Sequence, residues 1–381
     1  MRSGLVILKK ISARTGGICK RNGVKSVKNE SCGRELWLDV LRVAAACAVV
    51  LMHTVTGSVD IMNTGQYSQG RLLLIVMDLV TWCVPVFLMI SGYLFLNPRK
   101  EISFQKMLRK YCLRIVLALL IFGIPFSCLE LILAERRLRI GMLWDGLVMV
   151  CAMRSWSHLW YLYLILLLYL LTPSVKWLLK KIPEWAVVSV AVILVVGSSI
   201  LPFVNKWMGT DMPVLSEQLI YVFYYLYGYF LHKNHTKEGE GKNLWTMCAI
   251  SAFLVAGMVC YRFLGKDTIQ MAYNFPPTVL LSVCQMHIGQ CLWRRGQGKH
   301  NKKKNYHKAY GKGIVVLADL SFGIYLIHPV FLNLSYKFLH FTPMDYPLAL
   351  ALPLFWVAVM LCSVASTWIM RKITPLRRYV L

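Results

Sequence analysis

A chain of 381 residues that is 57% hydrophobic and 16% charged, with a mean hydropathy of +0.55, carries more apolar surface than a water-soluble fold of that length can bury; soluble domains carry about 25% charge. The net charge of +26 invites a nucleic-acid reading, but the basic residues do not form one interleaved face. They fall in short clusters between apolar runs, as in the cytoplasmic loops of membrane proteins. The expectation is an all-α polytopic membrane protein that binds the lipid bilayer and no nucleic acid.

The N-terminal tail, residues 1–35, is basic. Its apolar run "LVIL" is too short for a signal peptide. Ten segments then have the length and apolarity to cross a bilayer: roughly 36–57, 72–96, 112–133, 157–175, 185–204, 216–231, 244–264, 272–293, 313–333 and 346–369. The sixth, "LIYVFYYLYGYFL", is short and aromatic. With the N-terminus in the cytoplasm, thirty-three Lys and Arg fall on the inner side and nine on the outer, Arg262 among the nine, and Arg42 lies inside the first span. That bias predicts ten spans with both ends inside. The membrane domain is expected over 36–370, followed by a basic cytoplasmic tail over 371–381. The outer stretch "AERRLRIGML", 134–143, carries three arginines against the rule and is expected to lie flat at the interface. The connector "RRGQGKHNKKKNYHKAYGK" reads as a solvated basic loop with an unspecific affinity for anionic lipid.

Charge inside the apolar runs is the first functional signal. The opening span reads "DVLRVAAACAVVLMH". Arg42 and His53 lie eleven residues apart, just over three helical turns, so they share a face roughly 16 Å apart along the axis. Asp39 lies one turn before Arg42. Ionisable groups in a span are costly and usually face a wet cavity or a protein interior, although an Arg can snorkel and a His can pack as a hydrogen-bonded core residue. The second span contains Asp78 and ends "PVFLMISGYLF", with Ser91 and Gly92 interrupting its apolar surface. Next comes "FQKMLRKYCLRI". Its Arg109, Lys110 and Arg114 suit phosphate groups, though loop charge alone would also explain them. The fourth span begins "SHLWYLYL". An aromatic belt accounts for Trp160 and Tyr161, and His158 is left over. In the ninth, "SFGIYLIHP" puts Ser321, Tyr325 and His328 on one helix face, with Asp319 beside them.

The twelve cysteines show no CxxC pair. Cys47, Cys83, Cys128 and Cys284 lie in apolar runs and read as small packing side chains. His232 and His235, in "HKNH", read as loop histidines, and no metal site is expected.

Taken in order, these segments resemble the acyltransferase 3 family of integral membrane acyltransferases. Arg42 and His53 match its opening Arg-x10-His motif. "PVFLMISGYLF" is similar to its second-helix signature, "FQKMLRKYCLRI" to its basic loop, and "HLWYLYLILLLYLLTP" and "SFGIYLIHP" to its later landmarks. The resemblance covers about residues 36–370. It implies an O-acyltransferase of the bacterial cytoplasmic membrane. Such an enzyme moves an acyl group, usually acetyl, from cytoplasmic acyl-CoA to a hydroxyl of a cell-envelope carbohydrate or lipid-linked acceptor. It implies His53 as the essential histidine, as base or covalent relay, with Arg42 in the same motif. Arg42, Arg109, Lys110 and Arg114 would meet the CoA phosphates. Tyr325 and Ser91 are candidates for the oxyanion or for orienting the acceptor, and Asp39, His158, Trp160 and His328 for binding it. Two departures stand out. The loop's usual second Arg is Lys110, and no Pro follows "RI", which leaves the start of the third helix open. The competing expectation is a transporter or flippase with buried charge. A lesser one is the serine-handling module found fused to amino-acid racemases in glycopeptide-resistance systems.

Overall fold

The computed structural model describes residues 34–60, 67–234, 244–264, 271–298 and 304–381. Nearly all of the tail 1–35, His235 and the centre of the basic connector, 299–303, lie outside the described residues. Residues 36–381 form one unit.

The helices, in chain order, are α1 (Leu36–Asp60), α2 (Tyr67–Val80), α3 (Cys83–Phe95), α4 (Phe104–Glu135), α5 (Met142–Cys151), α6 (Trp160–Lys181), α7 (Glu184–Met208), α8 (Ile220–Asn234), α9 (Leu244–Phe263), α10 (Pro276–Gly298), α11 (Lys304–Asn333), α12 (Leu348–Met370) and α13 (Thr374–Tyr379). No strand occurs among the described residues. The protein is a multi-pass membrane protein: among the described residues, eight helical segments are long and apolar enough to cross a bilayer, α2 and α3 counting as one. The other two of the ten expected spans are helices too. But α8 is only 15 residues long, and α10 is not apolar enough.

α8 is enclosed by other helices and α10 turns a polar face toward them, and this is why neither need be apolar throughout. In α8, Tyr224 and Tyr225 are fully buried; in α10, Thr278, Ser282 and Gln290 are buried. The lipid-facing helices show the opposite: Val192 and Ile193 of α7 and Leu354 and Leu361 of α12 are exposed. α8 packs tightly on α3. A Cβ on Gly92 would strike the backbone of Tyr225, and one on Gly228 would strike the backbone of Met89 and Tyr93. Only hydrogen at both positions lets the helices meet this closely.

α1 lies at the centre, packed by α2, α3, α10, α11 and α12. Several long helices widen locally to π turns, at Met107–Cys112, Leu119–Gly123, Val196–Ile200 and Leu334–Phe338. Two of these precede Pro125 and Pro202. Proline cannot donate to the carbonyl four residues back and its ring crowds it, so the wider turn relieves the clash without breaking the helix.

Four expectations are corrected. The stretch "FQKMLRKYCLRI" is not a loop. Ser103 accepts from the backbone N–H of Lys106 at 3.3 Å and caps a helix that begins at Phe104. Residues 134–143 form no flat helix: Arg136, at φ 51°, ends α4, and α5 starts only at Met142. Two of the three arginines there are held by acids, since Glu135 binds Arg137 and Arg139, and Arg139 also pairs with Asp145 at 2.7 Å. His232 is not a loop residue but a buried member of α8, edge-on to Tyr93. Arg262, counted with the outer loops, lies inside α9, where it is 3% exposed and forms a two-pronged ion pair with the buried Asp78 of α2.

Candidate functional site

Arg42 and His53 open onto two separate cavities. The first, of about 520 Å³, is lined by His53 and His158, with Glu130, Arg154 and Lys337 among its charged residues. Three imidazoles gather there from three helical segments. His53 of α1 lies 5.2 Å from His328 of α11, His158 lies 5.8 Å from His328, and His53 lies 6.4 Å from His158, ring centre to ring centre. His158 and His328 are buried, and their Nε2 atoms meet no hydrogen-bond partner among the described residues. His328 Nδ1 donates to the Ile324 carbonyl at 3.1 Å, which fixes its ring in the helix groove. His53 is only half-buried, so it is the one ring of the three that a substrate in the cavity reaches directly.

The second cavity, of about 500 Å³, has opposite chemistry. Arg42, Lys100, Arg114 and Arg371 line it, with Asp319 the one acidic side chain among the lining residues. Its deeper wall is apolar and aromatic, including Phe87, Tyr161 and Tyr169, with Ser91 beside them. Arg42 Nη1 donates to the buried Asp39 at 3.0 Å, one turn away, which holds the guanidinium at the wall. Arg114 donates to the carbonyls of Val380 at 2.7 Å and Leu381 at 3.0 Å and lies over the Phe322 ring. Val380 and Leu381 are buried, and Leu381 lines this cavity. The loop that presents Lys100 is tied down as well. Lys176 donates to the carbonyls of Asn97 and Lys100, and Lys180 pairs with Glu101 at 2.9 Å. Lys180 beside it holds the Glu101 carboxyl below its ordinary value, so this exposed tether stays ionised.

Two helices running in the same direction connect the cavities. α1 carries Arg42 to the basic cavity and His53 to the histidine cavity; α11 carries Ser321 and Tyr325 to the basic cavity and Leu332 and Asn333 to the histidine cavity, with His328 packed against His53. Tyr325 stands between them. Its ring borders the basic cavity while its hydroxyl donates to the main-chain carbonyl of His158.

The candidates from the sequence thus divide. His53 and His158 line one cavity, with the buried His328 against both rings; Arg42, Arg114, Ser91 and Tyr325 line the other. Asp39 is Arg42's partner and lines neither. Arg109 and Lys110 are exposed and outside the lining. Trp160 packs between Tyr221 and Tyr273, at 5.3 and 5.8 Å, away from the histidine cavity. Sequence reasoning passed over Lys100, Glu130, Arg154, Lys337 and Arg371. Arg154 alone left a readable trace, one turn's spacing before His158 in "RSWSH".

Among known protein families, the acyltransferase 3 model, described as an acyltransferase domain, matches residues 35–372. No curated protein and no solved structure gives a match.

Proposed function

The chain belongs to the acyltransferase 3 family and is a membrane acyltransferase, and from that premise we propose that it moves a small acyl group, acetyl in the simplest case, from acyl-CoA to a hydroxyl of a cell-envelope carbohydrate or similar acceptor. In this reading the basic cavity faces the cytoplasm and the histidine cavity the outer side of a bacterial cytoplasmic membrane. Ten helices cross, with α8 and α10 included, and both chain ends are inside.

One observation carries the reading: a cavity rich in cations and a cavity rich in imidazoles are built on the same pair of helices. The cations suit the phosphates of CoA, because guanidinium groups offer planar paired donors to phosphate oxygens. The half-exposed His53 suits proton transfer from an alcohol near neutral pH. The acceptor hydroxyl gives its proton to His53 and its oxygen attacks the thioester carbonyl. The carbon–sulfur bond then breaks, and the departing thiolate takes the proton back from His53. Tyr325, at the partition, orients the thioester, and the buried rings of His158 and His328 keep His53 in place.

The test is labelled acetyl-CoA with the purified protein in lipid, wild type against His53→Ala. Release of CoA that depends on acceptor and is lost in the variant supports the base role. Label retained on the wild-type protein alone would make His53 a covalent relay instead. Neither CoA binding nor release, in folded protein, would return the chain to the transport reading.

A further inference from the structure

The charged rim of the histidine cavity says something about the acceptor. Three charged side chains line it: Glu130, Lys337 and Arg154. Two of them cancel, since Lys337 Nζ lies 2.7 Å from Glu130 Oε1. Arg154 meets no carboxylate among the described residues, although it faces the same cavity as His53.

Arg154 is held there by a built turn. Met153 adopts φ 57°, the left-handed region that a residue other than glycine rarely takes and that concentrates at functional sites. The N–H of Arg154 donates to the Met149 carbonyl at 2.8 Å. The next residue, Ser155, donates to the Gly123 carbonyl at 3.1 Å and accepts from Ser127 at 2.9 Å. Trp156 then stacks on Phe126 at 4.1 Å, nearly parallel. Four contacts to α4 and α5 fix the backbone on both sides of one guanidinium, while its head stays exposed to the cavity. A guanidinium with no counter-charge among the described residues, on a strained and pinned turn that lines the same cavity as the candidate base, suits a bidentate anion better than a neutral hydroxyl.

We infer that Arg154 is a specificity-determining residue that selects an acceptor bearing a negative charge, a carboxylate or a phosphate, close to the hydroxyl to be acylated. This deepens the proposed acyl transfer and rests on it. The ion-paired Lys337 is a reserve cation that Glu130 neutralises.

The experiment measures binding of three small acceptor mimics to the full chain in lipid nanodiscs: methyl glucoside, methyl glucuronide and glucose 1-phosphate. Wild type is expected to bind at least one of the two anions about tenfold more tightly than the neutral sugar. Which anion gains tells carboxylate from phosphate. Arg154→Gln should erase the difference, Arg154→Lys should keep part of it, and Glu130→Gln, which releases Lys337, should enlarge it. Equal binding of all three, no binding by any, or an anion preference that survives Arg154→Gln would overturn the inference. CoA binding to the same samples verifies that each variant is folded. An Arg154-dependent anion preference without acyl transfer from acetyl-CoA would leave the site standing and count against the proposed function alone.

Discussion

The imidazole of His53 lies 5.2 Å from that of His328, and of these two His53 lines the cavity while His328 is buried behind it. Two like charges at that distance would repel by about 3 kcal/mol at an effective dielectric near 20, so the arrangement suits one working ring against a neutral neighbour. His53→Ala is expected to lower kcat for acyl transfer on the order of a hundredfold or more, the usual contribution of general acid–base catalysis. His328→Asn should cost less, because it disturbs the packing of His53 without removing it. Steady-state CoA release from labelled donor, with acceptor saturating, separates the two.

The basic stretch of α4 offers an internal comparison. Arg114 lines the basic cavity, whereas Arg109, five residues earlier, is exposed. Arg114→Gln should raise KM for acyl-CoA about tenfold or more, the scale of a lost charged contact. Arg109→Gln should change it less than twofold. Arg42→Lys should also raise KM without loss of folded protein, since the ammonium keeps the charge near Asp39 and loses the planar fork. A titration of acetyl-CoA on the three variants reads this out, and equal effects at Arg109 and Arg114 would contradict the assigned cavity.

Stability should depend on the Asp78–Arg262 pair, which joins α2 to α9 with both partners buried. Removing one partner, as in Asp78→Asn, takes from buried Arg262 the carboxylate that holds it in two places and should cost about 3–5 kcal/mol. Replacing both, Asp78→Leu with Arg262→Met, should recover much of the loss. Thermal unfolding followed by tryptophan fluorescence in detergent gives the order of the three proteins.

Gly92→Ala or Gly228→Ala should separate α3 from α8, at a cost of at least about 1–3 kcal/mol, because the obstacle in each case is backbone and cannot swing away. The yield of monodisperse protein on size exclusion is the measurement. Full yield from both variants would mean that the helices are less closely packed.

Hydropathy made α1, α4, α7 and α12 legible, because it reports the surface that a helix shows to lipid. It marked α8 and α10 for the same reason they later fell short as spans: their partners are other helices, and Tyr224 or Gln290 costs nothing when enclosed and satisfied. Arg42 and His53 could be read as a pair because eleven residues of helix put them on one face. Their assignment to separate cavities could not, since it depends on where Tyr325 crosses between α1 and the His158 turn. The basic stretch was misread as a loop because charge density hid a Ser103 cap. Arg154 was passed over because its position is set by a left-handed Met153, and nothing in the residue type Met signals that conformation.

The helix between Arg42 and His53 is unbroken, so its rise of roughly 16 Å can neither stretch nor contract. It acts as a gauge. A donor that is gripped by its charge at one end and reacts at the other has to bring an arm of matching length, as the pantetheine of CoA does. An acyl phosphate carries its charge next to its acyl carbon and can satisfy only one end at a time. For the CoA donor proposed above, length would then select before any atom of the acyl group is inspected.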